Sequence, residues 1–144
     1  MRPTLCLLAA LATTACGPRE LRVTMKSDNN SGQTGFAVVT DQGAKGITVV
    51  VETSAPENVG PQYAHIHSGN CGEVGPIRAN LLRLEELKAP DKAGRAGSTS
   101  TEVLLLNDTK LMTFAMVSTG EWIINVHDER DFQVYVSCGE IPRL

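Results

Sequence analysis

The sequence has 144 residues, of which 42% are hydrophobic and 20% are charged. This length accommodates one compact domain, and the composition excludes wholesale disorder. The net charge of −3 argues against non-specific nucleic-acid binding, and the 4% aromatic content argues against a stacking platform for single strands. The four cysteines and three histidines therefore carry most of the chemical information.

The first residues predict an export signal. Arg2 precedes an apolar run over 5–12, and small residues at 13–15 lead to Cys16. The run is shorter than the roughly 20 apolar residues that a membrane-spanning helix needs. The approach to Cys16 resembles a bacterial lipobox, although Thr13 stands where leucine is usual. Cleavage by the ordinary signal peptidase, which would release a free periplasmic protein, is the alternative.

The lipobox resemblance implies that residues 1–15 are removed and that Cys16 is diacylated. A short tether over 16–20 would then precede the folded domain, predicted over 21–144. We expect a bacterial envelope protein that faces the periplasm or the cell surface and contacts the membrane only through its lipid. The sequence identifies no protein partner.

The remaining cysteines predict a disulfide. Cys6 leaves with the leader and Cys16 takes the lipid, so Cys71 and Cys138 form an even pair in an oxidising compartment. The alternative, two thiolate metal ligands, is weaker because neither cysteine belongs to a CxxC motif.

Alternation of apolar and polar residues predicts short strands joined by turns, and hence an all-β antiparallel sandwich or barrel. For 77–90 we predict a strand that passes into a helical turn, and for 91–98 a glycine-containing loop. The first predicted strand contains Leu21, Val23 and Met25. The remaining predicted strands lie over 36–40, 47–53, 63–67, 99–106, 121–127 and 132–138.

The histidines lie at positions that favour a metal site. His65 and His67 are two residues apart, so both point to one face of a strand. His127 lies on the face of its own strand opposite an apolar set, so all three are expected to point away from the core. Three imidazoles suit copper or zinc, and the pattern predicts a surface site. The alternative is that these histidines are merely polar exterior residues.

Two sequence blocks resemble the copper/zinc superoxide dismutase superfamily. They are QYAHIHSGNCGEVGPI (62–77) and WIINVHDERDFQVYVSCGEI (122–141), and they occur in the order found in that family. The resemblance implies a Greek-key, immunoglobulin-like β-sandwich or flattened barrel with a disulfide between Cys71 and Cys138. It also implies copper ligands at His65, His67 and His127.

The sequence departs from that family in ways that affect the chemistry. With three histidines in all, it lacks the bridging histidine and the zinc ligands, so no zinc site is expected. Tyr135 stands three residues before the second cysteine, where the family has an arginine that guides superoxide; Arg95 and Arg130 are candidate substitutes. The resemblance therefore implies a copper-only protein in copper handling or weak superoxide dismutation, and efficient enzymatic turnover is not expected.

A second family shares the same features. HIHSG followed by a distant NVH and GEI also resembles the CHRD (chordin-type) domain. That resemblance implies a sandwich without an established chemistry, so a metal-free interaction or structural module is the alternative function. Met112 and Met116 carry sulfur atoms of a type that binds Cu(I), but the preferred interpretation is that they are core residues. Asp128, Glu129 and Asp131 could supply an oxygen ligand or orient an imidazole, but the preferred interpretation is a solvated loop.

Overall fold

The structure is a computed structural model that describes residues 17–55, 61–81, 97–102, 105–106 and 110–144, with side chains described outside 97–106. The predicted leader, the lipidation site at Cys16 and the candidate Arg95 lie outside the described residues, as does the predicted helical turn over 82–90. In the described part, no helix is both long enough and apolar enough to cross a membrane.

The described chain is dominated by β-strands, which confirms the predicted all-β class. A single 3₁₀ turn, Gly43–Lys45, and a single short α-helix, α1 (Phe114–Thr119), occur among the described residues. The strands are β1 (Glu20–Ser27), β2 (Thr34–Asp41), β3 (Ile47–Ser54), β4 (Ala64–Asn70), β5 (Glu73–Asn80), β6 (Gly97–Glu102), β7 (Leu105–Leu106), β8 (Lys110–Leu111), β9 (Trp122–His127) and β10 (Tyr135–Glu140).

Eight of these strands form one curled antiparallel sheet in the order β5-β4-β9-β10-β1-β2-β3-β6. Strand β1 joins its two halves: residues 20–25 pair with β2, whereas Lys26 and Ser27 pair with β10. β7 and β8 form a separate two-stranded ribbon. The arrangement is consistent with the predicted β-sandwich.

The apolar core lies between the two halves of the sheet. Val23 in β1 is fully buried, and so are Ile66 in β4 and Ile124 in β9, which belong to the other half. Alternate residues of β1 and β3 are buried, as the period-2 pattern predicts. The interpretation as core residues holds for Met112, which is 0% exposed, but not for Met116, which is only partly buried.

Several element boundaries differ from the prediction. β10 begins at Tyr135 rather than at 132, because the segment before it closes a turn in which Val134 N–H donates to the Asp131 carbonyl. β6 begins at Gly97, inside the predicted loop, and the segment 77–80 is strand as predicted. Helix α1 was not predicted; the Thr113 hydroxyl caps it by accepting from Met116 N–H.

The predicted disulfide between Cys71 and Cys138 is confirmed, with 5.9 Å between the two Cα atoms. It ties the turn after β4 to β10, two strands away in the sheet. The crosslink therefore braces the half of the sheet that carries the histidines.

Candidate metal centre

The structure brings the three predicted histidines together. His65 and His67 project from β4, and His127 ends the neighbouring strand β9. One ring nitrogen from each residue lies within 4.8 Å of the others. The closest pair is His65 Nδ1 and His127 Nε2, at 2.9 Å.

The cluster is more deeply buried than the sequence predicts. His67 and His127 are each only 2% exposed, so the expectation of a surface site is wrong for these two. Ile66 and His67, neighbours on β4, are both buried, and the pairing of β4 with β5 shifts register on both sides of His67. Strict alternation would have placed one of these neighbours on an open face.

Backbone carbonyls fix the tautomers of two rings. His67 Nδ1–H donates to the Gly75 carbonyl at 2.9 Å, and His127 Nδ1–H donates to the Phe132 carbonyl. Because a carbonyl only accepts, each neutral ring keeps its proton on Nδ1 and its lone pair on Nε2. Two lone pairs are thus set in advance for a cation, as outer hydrogen bonds commonly do in metal sites.

His65 completes the hydrogen bonding of the metal-free cluster. Since His127 Nε2 carries a lone pair, His65 Nδ1 donates its proton to that atom. For His65 Nδ1 to bind a cation, its proton must first move to Nε2. His65 is the most exposed ring of the three, so it is the residue best placed to exchange that proton with solvent.

A glycine allows β5 to approach β4 closely enough to support His67. A Cβ atom on Gly75 would lie 2.5 Å from the Ser68 carbonyl oxygen and 2.7 Å from its hydroxyl. Any side chain there would push the strands apart and move the carbonyl that accepts from His67. The role of Gly75 was missed in the sequence, where no signal distinguishes it from a turn glycine.

Burial keeps the imidazoles neutral. Desolvation, reinforced by the neighbouring His127 and His67, lowers the pKa of His65 from 6.5 to about 4. Desolvation also lowers the pKa of His67 and of His127, although the carbonyls that they bond oppose the shift. The neutral form is the metal-ligating form of histidine, so no ring has to lose a net proton before it can bind a metal ion at neutral pH.

Tyr135 forms part of the cluster's surroundings. It pairs with His127 across β9 and β10, and its ring lies edge-on at 5.0 Å from that imidazole and 5.8 Å from His67. The sequence showed it only as the place of a missing arginine. Arg130, the candidate substitute within the described chain, pairs with Glu129 at 3.2 Å.

Two of the acidic residues after His127 accept hydrogen bonds from the backbone of their own loop. The Asp128 carboxylate accepts from Arg130 N–H, and the Asp131 carboxylate accepts from Gln133 N–H. These bonds shape the turn whose Phe132 carbonyl holds His127. The carboxylates therefore act in positioning the loop, in agreement with the loop interpretation.

The donor set fits a metal ion with little rearrangement. Imidazole nitrogens bind zinc at about 2.0–2.1 Å, so two nitrogens on one ion lie at most about 4.2 Å apart. The observed limit of 4.8 Å requires only a small closure of the cluster. His67 Nε2 supports this fit independently, because it is buried and has no hydrogen-bond partner among the described residues.

Comparison with known proteins identifies the family. A family model for the CHRD domain matches residues 13–133 and so includes all three histidines. The match ends before β10 and does not reach Cys138. No curated protein and no solved structure matches the chain, and the resemblance to superoxide dismutase gains no support. The chain belongs to the CHRD-domain family.

Proposed function

We propose that this CHRD-type module binds one copper ion through His65, His67 and His127 and serves in copper handling at the cell envelope. The observation that carries the proposal is the convergence of three neutral imidazoles, one of which has a buried and unpartnered Nε2. A buried nitrogen without a partner costs free energy that a bound cation would recover.

The chemistry of the donor set favours a transition metal over a hard cation. Nitrogen ligands suit copper and zinc, whereas magnesium and calcium prefer oxygen. Three imidazoles can hold Cu(I) alone and Cu(II) with further ligands, so copper in both oxidation states is compatible with the site. When bound, copper would supply one-electron chemistry; the chain's own residues orient the ring nitrogens and shield them from solvent.

Metal analysis of the purified protein tests the proposal. After exposure to copper or zinc and removal of loose ions, we expect one copper per chain in the wild type. The triple variant His65→Ala/His67→Ala/His127→Ala should retain none while keeping its β-sheet circular dichroism. Glu121→Gln is the matched control, because its carboxylate lies on the surface and pairs with Arg143; this variant should retain the full copper content.

The same preparation also tests a dismutase function. Superoxide turnover that requires the three histidines would extend the proposal to weak dismutation. Copper content without turnover above free-protein background would restrict the function to copper handling. A wild-type protein that holds no stoichiometric copper would contradict the proposal itself.

A metal-free interaction module is the second candidate, and the family match favours it. A structural observation also supports it: large hydrophobic side chains lie exposed around the cluster. Tyr63 is 47% exposed beside His65, Ile77 pairs with His67 and is 43% exposed, and Phe132 beside His127 is 59% exposed. Absence of bound metal together with a protein partner lost on Phe132→Ser would establish this alternative.

The envelope location is proposed from the leader pattern ending at Cys16. Mass spectrometry of the protein from membranes would show a diacylglycerol-modified Cys16 as the first residue. A soluble product that begins near this position without lipid would show ordinary signal-peptidase cleavage instead.

A further inference from the structure

The structure leaves three buried side-chain atoms without a hydrogen-bond partner in its described part, and all three lie in the same region. They are His67 Nε2 and both amide atoms, Oδ1 and Nδ2, of Asn125. Asn125 is 0% exposed, so bulk water does not reach its amide. Buried polar groups in native proteins almost always have partners, and an exception indicates a bound water or ion.

The sheet register places Asn125 beside the histidine cluster. Asn125 pairs with His65 on β4 and with Cys138 on β10, and it lies two residues before His127 on one face of β9. Side chains that face each other directly across antiparallel strands have Cβ atoms about 4.5–5.5 Å apart. The amide is therefore flanked by two of the three proposed ligands.

The chemistry of a carboxamide limits what can satisfy it. Its oxygen accepts hydrogen bonds and its nitrogen only donates them, so a bare cation could satisfy the oxygen but never the Nδ2 group. A water molecule both donates and accepts, and it is small enough for a buried position. Three-histidine sites also leave a ligand position that water commonly fills.

We infer that Asn125 is a positioning residue of the three-histidine site and holds a water molecule in the ligand position that the imidazoles leave open. The inference rests on the proposed metal binding, and it adds a ligand class and a residue that neither the sequence motifs nor the family match assigns. Asn125 acts through the water and does not itself bind the metal.

Replacing the amide by an apolar side chain of similar size tests the inference. Asn125→Leu removes both unpartnered atoms, so the metal-free protein should melt at the same temperature or higher. Its Cu(II) affinity, measured by chelator competition, should fall 10- to 100-fold, as is typical when outer-shell support is lost. Pulsed electron paramagnetic resonance in H₂O and D₂O should show loss of the strongly coupled exchangeable protons of a water molecule bound to Cu(II).

Gln62→Leu is the matched control, because it also replaces a buried amide with leucine. Gln62 exchanges two hydrogen bonds with Gln33, at 2.9 and 3.1 Å, so its replacement should lower the melting temperature. Copper affinity and the proton signal should stay at wild-type values. Asn125→Val, a smaller apolar residue that suits a strand, provides a second variant should leucine prevent folding; it should also lose the water-proton signal and fall about 10- to 100-fold in affinity.

The outcomes separate this inference from the proposed function. If Asn125→Leu, or Asn125→Val where leucine prevents folding, binds Cu(II) as the wild type does and has unchanged spectra, the inference is wrong and copper binding stands. If the wild type itself binds no copper, both are wrong. A lower melting temperature of Asn125→Leu with unchanged affinity would show a purely structural amide and also overturn the inference.

Discussion

Two buried polar clusters in this protein differ in how completely they are hydrogen-bonded. In the first, the amides of Gln33 and Gln62 bond each other reciprocally, and Gln33 also donates to the Thr53 hydroxyl at 3.0 Å. In the second, His67 and Asn125 are equally buried but leave three polar atoms unpaired. The first cluster is complete within the chain, whereas the second contains three atoms without a partner among the described residues.

The difference teaches that burial alone does not separate a structural cluster from a binding site. Gln33, Gln62 and Asn125 are all at most 2% exposed. What distinguishes them is whether their amide groups have hydrogen-bond partners: those of the two glutamines do, and that of Asn125 has none among the described residues. A bound ligand would supply such partners. The glutamine cluster should therefore govern stability, and the histidine cluster should govern binding.

Loss of the disulfide is expected to have the largest effect on stability. The bond closes a loop with a sequence separation of 67, and the chain-entropy model gives about 4 kcal/mol for a loop of that size. The free energy of unfolding of the double variant Cys71→Ser/Cys138→Ser, measured with denaturant, should be lower by this amount than that of the oxidised wild type. Because Cys138 lies opposite Asn125, copper affinity should also fall, while Gln33 and Gln62 keep their contacts.

Reduction of the wild type without mutation is the control for that prediction, since it breaks the same bond and leaves both sulfur atoms in place. An unfolding free energy that is unchanged by either treatment would show that the crosslink does not restrain the unfolded chain.

Breaking the glutamine pair should cost less, about 1–3 kcal/mol, and should leave binding intact. Gln33→Leu leaves the buried Gln62 amide without the two bonds that it makes with Gln33. The double variant Gln33→Leu/Gln62→Leu should regain most of the loss, because no amide of the pair is then left unpaired. Urea unfolding of the three proteins, beside copper titrations, measures both effects.

The decisive quantity is the interaction energy between the two substitutions, which is the stability loss of the double variant minus the sum of the two single losses. Strictly additive losses would mean that Gln33 and Gln62 do not stabilise the fold as a hydrogen-bonded pair. If copper affinity fell together with stability in these variants, the glutamine cluster would not be separate from the binding site.

Gly75→Ala should affect binding more than it affects the fold. The added methyl group would meet the Ser68 carbonyl at 2.5 Å and displace the carbonyl that accepts from His67. We expect Cu(II) affinity to fall at least about tenfold, through loss of outer-shell support. Gly72→Ala is the matched control, since its nearest neighbour would be the Asn70 side chain at 3.4 Å, an ordinary contact. Equal affinities of the two variants would contradict a role for Gly75.

The sequence predicted much of the fold and part of the site. Alternation located most strands and put the three histidines on two of them, and the resemblance of the HxH and NVH blocks to a copper-binding family implied that the histidines act together. Strict alternation could not predict the register shifts around His67, because a bulge depends on pairing with β5. The unpartnered amide of Asn125 was equally invisible, because satisfaction is a property of three-dimensional neighbours rather than of spacing.

Of the changes considered, acidification should lower the free energy of unfolding least for each residue involved. In the metal-free protein it acts through the histidine cluster. The pKa of each ring is lowered by desolvation, to about 4 for His65, whereas an unfolded histidine titrates near 6.5. Well above pH 6.5 the histidines are neutral in both the folded and the unfolded state, and the full stability is present. As the pH falls below 6.5, the unfolded chain gains protons that the folded chain resists, so stability is lost until the pH passes the folded pKa.

From pH 7 to pH 6 this loss amounts to at most about 0.7 kcal/mol for each imidazole, because the unfolded chain is only partly protonated there. Urea unfolding of the metal-free protein at these two pH values measures it, and His65→Gln should show a shallower dependence because one titrating ring is gone. The Gln33–Gln62 pair has no ionisable group and cannot contribute. A stability that rises on acidification would mean that the cluster binds protons in the folded state, and the imidazoles would then not be held neutral for a cation.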